Sequence, residues 1–306
     1  MKAVFDLKPG SGYDDEIITG RYQFPARRDY LSAAQDAIGD WALLREPQRN
    51  RGRRAYIAVA RVLRVERDPL HVNRFYAHLT EPLEFATPVP LQRDGRYMEA
   101  VARAVGDPSR VGQALQGKSV RSISDDDFDA IVMAGLSEAL APENALRLGL
   151  DFVDDEFPHL PPGVGESVDR RVEQMLVNRK IRDANFRLEV CRAYEDRCAV
   201  TGLQIINGGG RAEVQAAHIR PVAEGGPDVV QNGIALSATV HWLFDRHLIS
   251  IDPDYRLLVA HNRVPAELRT LFRPEVEGVL MPNDPRLRPH PSFLAYHRER
   301  FAGAMS

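Results

Sequence analysis

The sequence predicts an α+β fold with two domains joined by a linker. Short β-like runs separated by turns fill the first 110 residues, and an apolar helical pattern follows to about residue 150. A segment rich in acid, proline and glycine (151–167) interrupts both patterns, and the last third shows a strand, loop and helix in that order. A chain of 306 residues is long enough for two domains, each burying its own core.

Three segments of the first region have the alternating apolar pattern and the β-branched residues of strands. They are WALLRE (41–46), AYIAVARVLRVER (55–67) and NRFYAHL (73–79). We expect these strands to form a small β-barrel. Further along, AIVMAGLSEALA (130–141) is apolar enough for a helix that faces a core.

The predicted linker separates an N-terminal domain (1–150) from a C-terminal domain (168–306). Residues 168–198 have the pattern of one or two helices, and RPHPSFLAYHRERF (288–301) predicts a short closing helix. Between them, the run VQAAHI predicts a strand and SATVHWLFDRHL predicts a helix. A proline and a Gly-Gly turn end the strand before that helix begins.

Composition limits the functional classes. The net charge of −3 argues against a histone-like binder, although acidic clusters at 124–129 and 151–157 leave room for a basic face elsewhere. Cys191 and Cys198 are the only cysteines, which excludes a four-cysteine zinc site. Because no apolar secretory or membrane-spanning segment is present, we expect a cytoplasmic protein that does not enter a membrane.

Four residues of the C-terminal region suggest a chemistry. His218 ends the predicted strand, and a neutral imidazole can take a proton from water near pH 7. Asn232 precedes a glycine in the next loop, where its amide can fasten that loop. His241 and Asp245 are four positions apart on a predicted helix, so their nitrogen and oxygen donors share one face and can bind a divalent ion.

Each of these residues also has an ordinary structural role open to it. A histidine on a strand is often a hydrogen-bonded structural residue, and His241 beside two aromatic residues can simply be half-buried. Asp245 can cap the helix end or pair with Arg246 or Arg220. An Asn-Gly pair is also a common turn.

In this order and at this spacing, residues 198–251 resemble the HNH, or ββα-metal, endonuclease family, over roughly the last third of the chain. The resemblance implies that His218 is the general base and that Asn232 fixes the loop. It also implies that His241 and Asp245 hold a divalent metal ion. Mg²⁺ or Mn²⁺ is the expected ion, with Zn²⁺, Co²⁺ and Ni²⁺ as alternatives.

Two positions depart from the family pattern. Colicin-type members have histidine where this chain has Asp245, and many members carry a further ligand where this chain has Ala217. The other ligands would then be water and the substrate phosphate, with Asn232 or His218 as further candidates.

The N-terminal run GRYQFPARRDYLSAAQDAIGDWALLREP is similar to the PUA-like barrels of the EVE type, with Gly-Asp-Trp before an apolar strand. Such domains, when fused to HNH nucleases, are associated with reading modified cytosine, which implies that the base is flipped into an aromatic pocket. Tyr22, Phe24 and Trp41 are the candidates for that pocket. The alternative is that their rings belong to the barrel core.

Two basic segments supply candidate contacts to the DNA backbone, because guanidinium groups bind phosphate bidentately. One is the loop REPQRNRGRR (45–54), whose alternative role is a solvated hairpin tip, and the other precedes the nuclease motif. The candidates are Arg49, Arg51, Arg53, Arg54, Arg179, Lys180 and Arg182.

Together these features predict a modification-dependent, type IV-like restriction endonuclease. It would flip and read 5-methyl- or 5-hydroxymethylcytosine in double-stranded DNA and cut by a one-metal HNH mechanism. A single active site per chain predicts a homodimer, or two copies that meet on DNA, for double-strand cleavage. The alternatives are an HNH nuclease without modified-base dependence (a toxin, phage or homing enzyme) and a non-catalytic DNA-binding module.

Overall fold

The chain forms two compact units. The computed structural model describes residues 1–8, 10–14, 20–48, 52–138, 172, 176, 179–208, 210–274 and 277–302. The first unit includes the described residues up to 138 and then 172, 176 and 179–182, and the second runs from 183 to 302. The expected linker at 151–167 lies outside the described residues.

The boundary between the units differs from the expected start of the second domain at residue 168. Val172 and Leu176 are fully buried in a hydrophobic core of the first unit. The boundary therefore falls between Arg182 and Asp183.

The first unit is built on a six-stranded sheet. Its strands are β1 (Ala3–Asp6), β2 (Arg21–Pro25), β3 (Trp41–Glu46), β4 (Ala55–Arg67), β5 (Arg74–Pro90) and β8 (Val120–Ser122). Between β5 and β8, the short strands β6 (Gln92–Arg93) and β7 (Arg96–Tyr97) pair as a separate hairpin. The order across the large sheet is β2–β5–β4–β3–β1–β8, and β1 runs parallel to β3 while the other neighbours are antiparallel.

The sheet is curled and open. The β4–β5 register shifts at three places and the β3–β4 register at one, and such bulges bend and twist paired strands. Among the described strands, β2 and β8 form the two edges and do not pair with each other, so the expected closed barrel is a curled half-barrel here. The predicted strands at 41–46 and 55–67 are confirmed, and the third continues to Pro90 because it keeps pairing with β4.

Four helices accompany this sheet: α1 (Arg28–Asp36), α2 (Ala100–Arg103), α3 (Val111–Ala114) and α4 (Asp125–Leu136). Helix α4 lies within the stretch 110–150 that is predicted as helical, and it begins at Asp125 because the Ser124 hydroxyl accepts a hydrogen bond from the backbone nitrogen of Asp127 (3.3 Å) and caps it. The acidic cluster thus occupies the first turn, where the helix dipole favours negative charge.

Tyr22, Phe24 and Trp41 are core residues, with 1%, 0% and 4% of their surface exposed. The ring of Tyr22 stacks between those of Phe5 and Phe24, at centroid distances of 4.8 and 6.2 Å, and Phe24 stacks on Phe75 at 6.0 Å. This corrects the expectation that the three aromatic residues line an open base-binding pocket. In this structure their faces are covered by core side chains.

A buried charge network connects the strands of the first unit. Arg45 donates to both carboxylate oxygens of Asp6 (2.7 and 2.8 Å), and Arg121 donates to Asp6 (3.1 Å) and to Glu99 (2.6 Å). The hydroxyl of Tyr56 also donates to Glu99. Burial alone would raise the pKa of Asp6, but the two guanidinium groups hold it below its usual value.

The second unit begins within α5 (Arg179–Ala193). It continues through β9 (Gln215–His218), β10 (Gly233–Leu236), α6 (Ala238–Asp245), β11 (Ile249–Ile251), β12 (Leu257–Val259), α7 (Ala266–Arg269) and α8 (Pro291–Arg298). Strands β9 and β10 pair antiparallel, as do β11 and β12. The predicted strand, central helix and closing helix are therefore all present, and Cys191 and Cys198 are buried and do not form a disulfide.

Helix α8 packs against the end of α6 through one histidine. The His297 ring is stacked on Phe244 at a centroid distance of 3.7 Å, and its Nε2 lies 3.0 Å from the carbonyl oxygen of that residue. Its Nδ1 lies 2.9 Å from the hydroxyl of Ser250. In the described part of the chain, every helix is too short or too polar to cross a membrane.

Gly135→Ala should destabilise the first unit. A Cβ at this position of α4 would lie 2.4 Å from Cγ of Phe85, which is 1% exposed and has no room to move. We expect a loss of about 1–3 kcal/mol in the free energy of unfolding, as for other overpacked cores. Urea unfolding followed by circular dichroism measures it.

Gly112→Ala in α3 is the matched control, because nothing lies within 4 Å of its added Cβ. This substitution should leave stability unchanged or raise it slightly, since alanine favours helix. Equal losses in both variants would contradict the packing explanation.

Candidate active site

The side chain of Asn232 closes the loop between β9 and β10. It is completely buried, and its Nδ2 donates to the carbonyl oxygens of Arg220 (2.9 Å) and Pro227 (3.0 Å). Its Oδ1 accepts from the backbone nitrogen of Arg220 (2.9 Å). Gly226 fits under this clamp only because it lacks a Cβ, which would lie 1.9 Å from the Arg220 carbonyl oxygen.

His218 ends β9 opposite Gly233, the first residue of β10. Its imidazole is stacked on the ring of Phe186, with centroids 3.9 Å apart and planes 7° from parallel. The missing side chain at Gly233 makes room for that ring, because a Cβ there would lie 3.0 Å from Cζ of Phe186 and 2.3 Å from Cγ2 of Val190.

A buried carboxylate fixes the proton on the imidazole. Nε2 of His218 lies 3.0 Å from Oδ1 of Asp228, whose side chain is 3% exposed. An ionised carboxylate only accepts hydrogen bonds, so a neutral His218 ring that pairs with it donates from Nε2 and has its lone pair on Nδ1. The His218 side chain is 19% exposed, so its ring remains accessible to a reactant.

Asp228 and Gln215 are not singled out by the sequence alone. Asp228 follows Gly-Gly-Pro, and aspartate in such a segment is an ordinary turn residue. The one clue to Asp228 in the sequence is that it lies in the loop between His218 and Asn232.

His241 and Asp245 lie on the side of α6 away from Val240, Leu243 and Phe244, which are buried. Nε2 of His241 is 3.4 Å from Oδ2 of Asp245, and the two side chains are 21% and 51% exposed. The prediction that they share one face is therefore confirmed.

A strand residue orients the His241 ring. Nδ1 of His241 lies 2.9 Å from Oε1 of Gln215 on β9, so a neutral ring that donates from Nδ1 to this oxygen would present its Nε2 on the side of Asp245. This nitrogen and oxygen pair fits a divalent metal ion. Among the described residues no group of three or more His, Cys, Asp or Glu could hold a metal, and Ala217 is fully buried. Within the described residues, His241 and Asp245 are therefore two potential donors that lie together, without a third His, Cys, Asp or Glu beside them.

The sequence matches the family model of HNH endonucleases over residues 198–252. That range contains His218, Asp228, Asn232, His241 and Asp245. Residues 198–252 are an HNH endonuclease domain. The comparison with curated proteins found no match.

Three solved structures are similar to the chain at low identity. A modification dependent TagI restriction endonuclease is 13% identical, with 98% of this chain and 81% of that chain covered and a TM-score of 0.31. Rpa0253 from Rhodopseudomonas palustris is 16% identical over 44% of this chain and 92% of that chain, with a TM-score of 0.30. The Type IV phosphorothioation-dependent restriction endonuclease ScoMcrA is 16% identical, with a TM-score of 0.23. The match covers 98% of this chain and 49% of ScoMcrA.

The expected backbone-binding residues belong to the first unit or lie outside the described residues. Arg53 is paired bidentately with Glu46 (2.8 and 3.1 Å), and Arg182 donates to the carbonyl oxygen of Pro82 (2.8 Å). Both belong to the first unit, and their guanidinium groups make these contacts in this structure. Arg54 is exposed. Arg49, Arg51 and the side chains of Arg179 and Lys180 lie outside the described part.

The stability of the second unit should fall as the pH falls from about 6.5 towards 4. Burial, together with nearby His247, lowers the pKa of His297 to about 4. In the unfolded chain a histidine has a pKa near 6.5, so the unfolded state takes up the proton first and becomes favoured. The contribution of His297 to the free energy of unfolding is fully present above pH 6.5 and is lost as the pH falls towards 4. Urea unfolding near pH 7 and near pH 4.5 measures the difference, roughly 2 kcal/mol.

His297→Gln should flatten this pH dependence. His261→Gln is the control, because that histidine is exposed. In this variant the free energy of unfolding should depend on pH as it does in the wild-type protein. The same slope in both variants would show that His297 is not the titrating group.

Proposed function

We propose that the chain is a metal-dependent DNA endonuclease in which His218 is the general base. The contact between His218 and Asp228, made beside the Asn232 clamp, is the observation that carries this proposal. Such a dyad holds one imidazole nitrogen ready to accept a proton, as in other enzymes in which a carboxylate orients a histidine. The HNH domain match supports the same reaction class.

In this proposal, Nδ1 of His218 takes a proton from the water that attacks phosphorus. The imidazolium that forms is stabilised by Asp228, which keeps its negative charge. The bond from phosphorus to the 3′ oxygen breaks with its electron pair on that oxygen, which takes a proton from solvent water, and the products carry 5′-phosphate and 3′-hydroxyl ends. Stacking on Phe186 and the closed loop keep the ring in one orientation throughout, so that the base need not be reordered at each turnover.

His241 and Asp245 are the proposed metal ligands, and Mg²⁺ or Mn²⁺ is the proposed ion. When bound there, such an ion neutralises charge that develops on the scissile phosphate and the leaving oxygen. Gln215 keeps the His241 ring in the tautomer that a metal ligand requires. The exposed Asp245 carboxylate leaves this side open to a phosphate.

The proposed substrate is double-stranded DNA that contains 5-methyl- or 5-hydroxymethylcytosine, read by the first unit. The resemblance of its sequence to EVE-type domains supports this part of the proposal. Because Tyr22, Phe24 and Trp41 are core residues, other side chains would have to receive the base. With one site in each chain, two copies are proposed to act together for double-strand cleavage.

His218→Ala should reduce cleavage of DNA by at least about 100-fold, because general-base catalysis contributes that much or more. DNA affinity should be unchanged. A cleavage assay in Mg²⁺ and in Mn²⁺, with binding measured separately, checks both statements. His261→Ala is the matched control on an exposed histidine of the same unit. Wild-type rates in His218→Ala would remove this residue from the mechanism.

Asp228→Asn should lower kcat by roughly 100-fold or more with little change in KM. An asparagine at this site can donate its amide hydrogen to Nε2, which places the ring proton on Nδ1 and removes the base. Because Asn and Asp have the same shape, the fold should be retained, as thermal unfolding can confirm. Unchanged kcat would show that Asp228 does not orient the base.

Matched duplexes with cytosine, 5-methylcytosine or 5-hydroxymethylcytosine test the substrate. We expect cleavage of the modified duplexes only. A phosphorothioate duplex is a further arm, because ScoMcrA depends on that modification by its name. Equal cleavage of all duplexes would support an HNH nuclease without modified-base dependence. Binding without cleavage in any divalent metal would support a binding module.

A further inference from the structure

Helix α6 has a third side besides its buried side and its proposed metal-binding side. Trp242 and Arg246 lie four positions apart and form this side. Each follows one of the proposed ligands, His241 and Asp245, by one position. Because successive residues of a helix are about 100° apart, this third side is next to the ligand side.

Trp242 is unusually exposed for so large an apolar side chain, with 52% of its surface accessible. The guanidinium carbon of Arg246 lies 4.8 Å from the centre of the indole ring. Stacking of this kind leaves the edge of the guanidinium free to donate hydrogen bonds. Within the described residues, Arg246 forms no ion pair with a carboxylate, so its positive charge is not neutralised there.

We propose that Trp242 and Arg246 contact the DNA strand next to the scissile phosphate. This inference rests on the proposed function. Trp242 packs against the nucleotide that flanks the cut, and Arg246 binds the neighbouring phosphate. The pair then positions the strand along α6 so that the scissile phosphate meets His218 and the metal-binding side.

The position and chemistry of the pair favour DNA as the occupant. A phosphate that reaches His241 and Asp245 must pass along the open side of α6, which brings the adjoining nucleotide within reach of the next side. An exposed indole offers a flat surface to a base or sugar, and an unneutralised guanidinium complements phosphate. Both contacts would be independent of base sequence, as a cleavage module that serves a separate recognition unit requires.

Tryptophan fluorescence tests the contact directly, because the chain has only two tryptophans. Trp41 is 4% exposed in the first core, whereas Trp242 faces solvent. In full-length His218→Ala protein with Mg²⁺, addition of a modified-cytosine duplex should quench and shift the emission. Adding Trp41→Phe should keep this response, and adding Trp242→Phe should abolish it. A response that follows protein concentration, and not DNA, would assign the surface to a protein partner and overturn the proposal.

Cleavage by otherwise wild-type protein is the second arm. Trp242→Ala should weaken DNA binding and lower kcat/KM by roughly 5- to 150-fold, whereas Trp242→Phe should restore most of the loss. Arg246→Ala should reduce the slope of log affinity against log salt by about 1. If wild-type protein cleaves and Trp242→Ala cleaves equally well, the inference fails and the proposed function stands. If wild-type protein binds DNA with the Trp242 response but never cleaves, the proposed function fails and the contact stands.

Discussion

The geometry of the HNH domain depends on one buried amide. Asn232 satisfies both ends of its side chain with the main chain of Arg220 and Pro227, and it fastens the loop that carries Asp228. A buried polar group that loses its partner costs about 1–3 kcal/mol, so these bonds strongly favour a single loop conformation. Without that conformation, the Asp228 carboxylate would not be held beside the imidazole of His218.

The strand β9 links the two halves of the candidate site. Its last residue is His218, and its first residue, Gln215, orients the ring of His241 on α6. Each imidazole therefore has one nitrogen within hydrogen-bond distance of a protein oxygen, Oδ1 of Asp228 for His218 and Oε1 of Gln215 for His241. In the proposed mechanism the same arrangement would serve the base at His218 and the metal ligand at His241, and the difference would arise from what faces the second ring nitrogen.

The sequence was informative where local pattern and spacing determine structure. The strands at 41–46 and 55–67 and the shared face of His241 and Asp245 follow from such patterns, and the structure confirms them. The same patterns could not separate a core aromatic from a pocket aromatic, because both recur at strand spacing, as Tyr22 shows.

Contacts between side chains that are not neighbours in the chain could also not be predicted from the sequence. Asp228 could not be distinguished from a turn residue until its distance to His218 was known, and Arg53 could not be seen to pair with Glu46. The unit boundary shifted for a similar reason. The sequence pattern places Val172 and Leu176 in a helix that leads into the HNH domain, but the structure buries both side chains in a hydrophobic core of the first unit. Contacts across a fold, rather than neighbours in the chain, decide such cases.

The buried charge network of the first unit also makes that unit cooperative. Arg121 is separated from Asp6 by 115 positions, and it reaches both Asp6 and Glu99 from β8, the last strand of the sheet. During synthesis, the earlier strands are complete before Arg121 has emerged, and the Glu99 carboxylate then lacks the guanidinium that compensates its burial. Closing the core at that stage would trap an uncompensated charge at a cost of several kcal/mol. The half-barrel is therefore expected to fold after its last strand is made, as one all-or-none step.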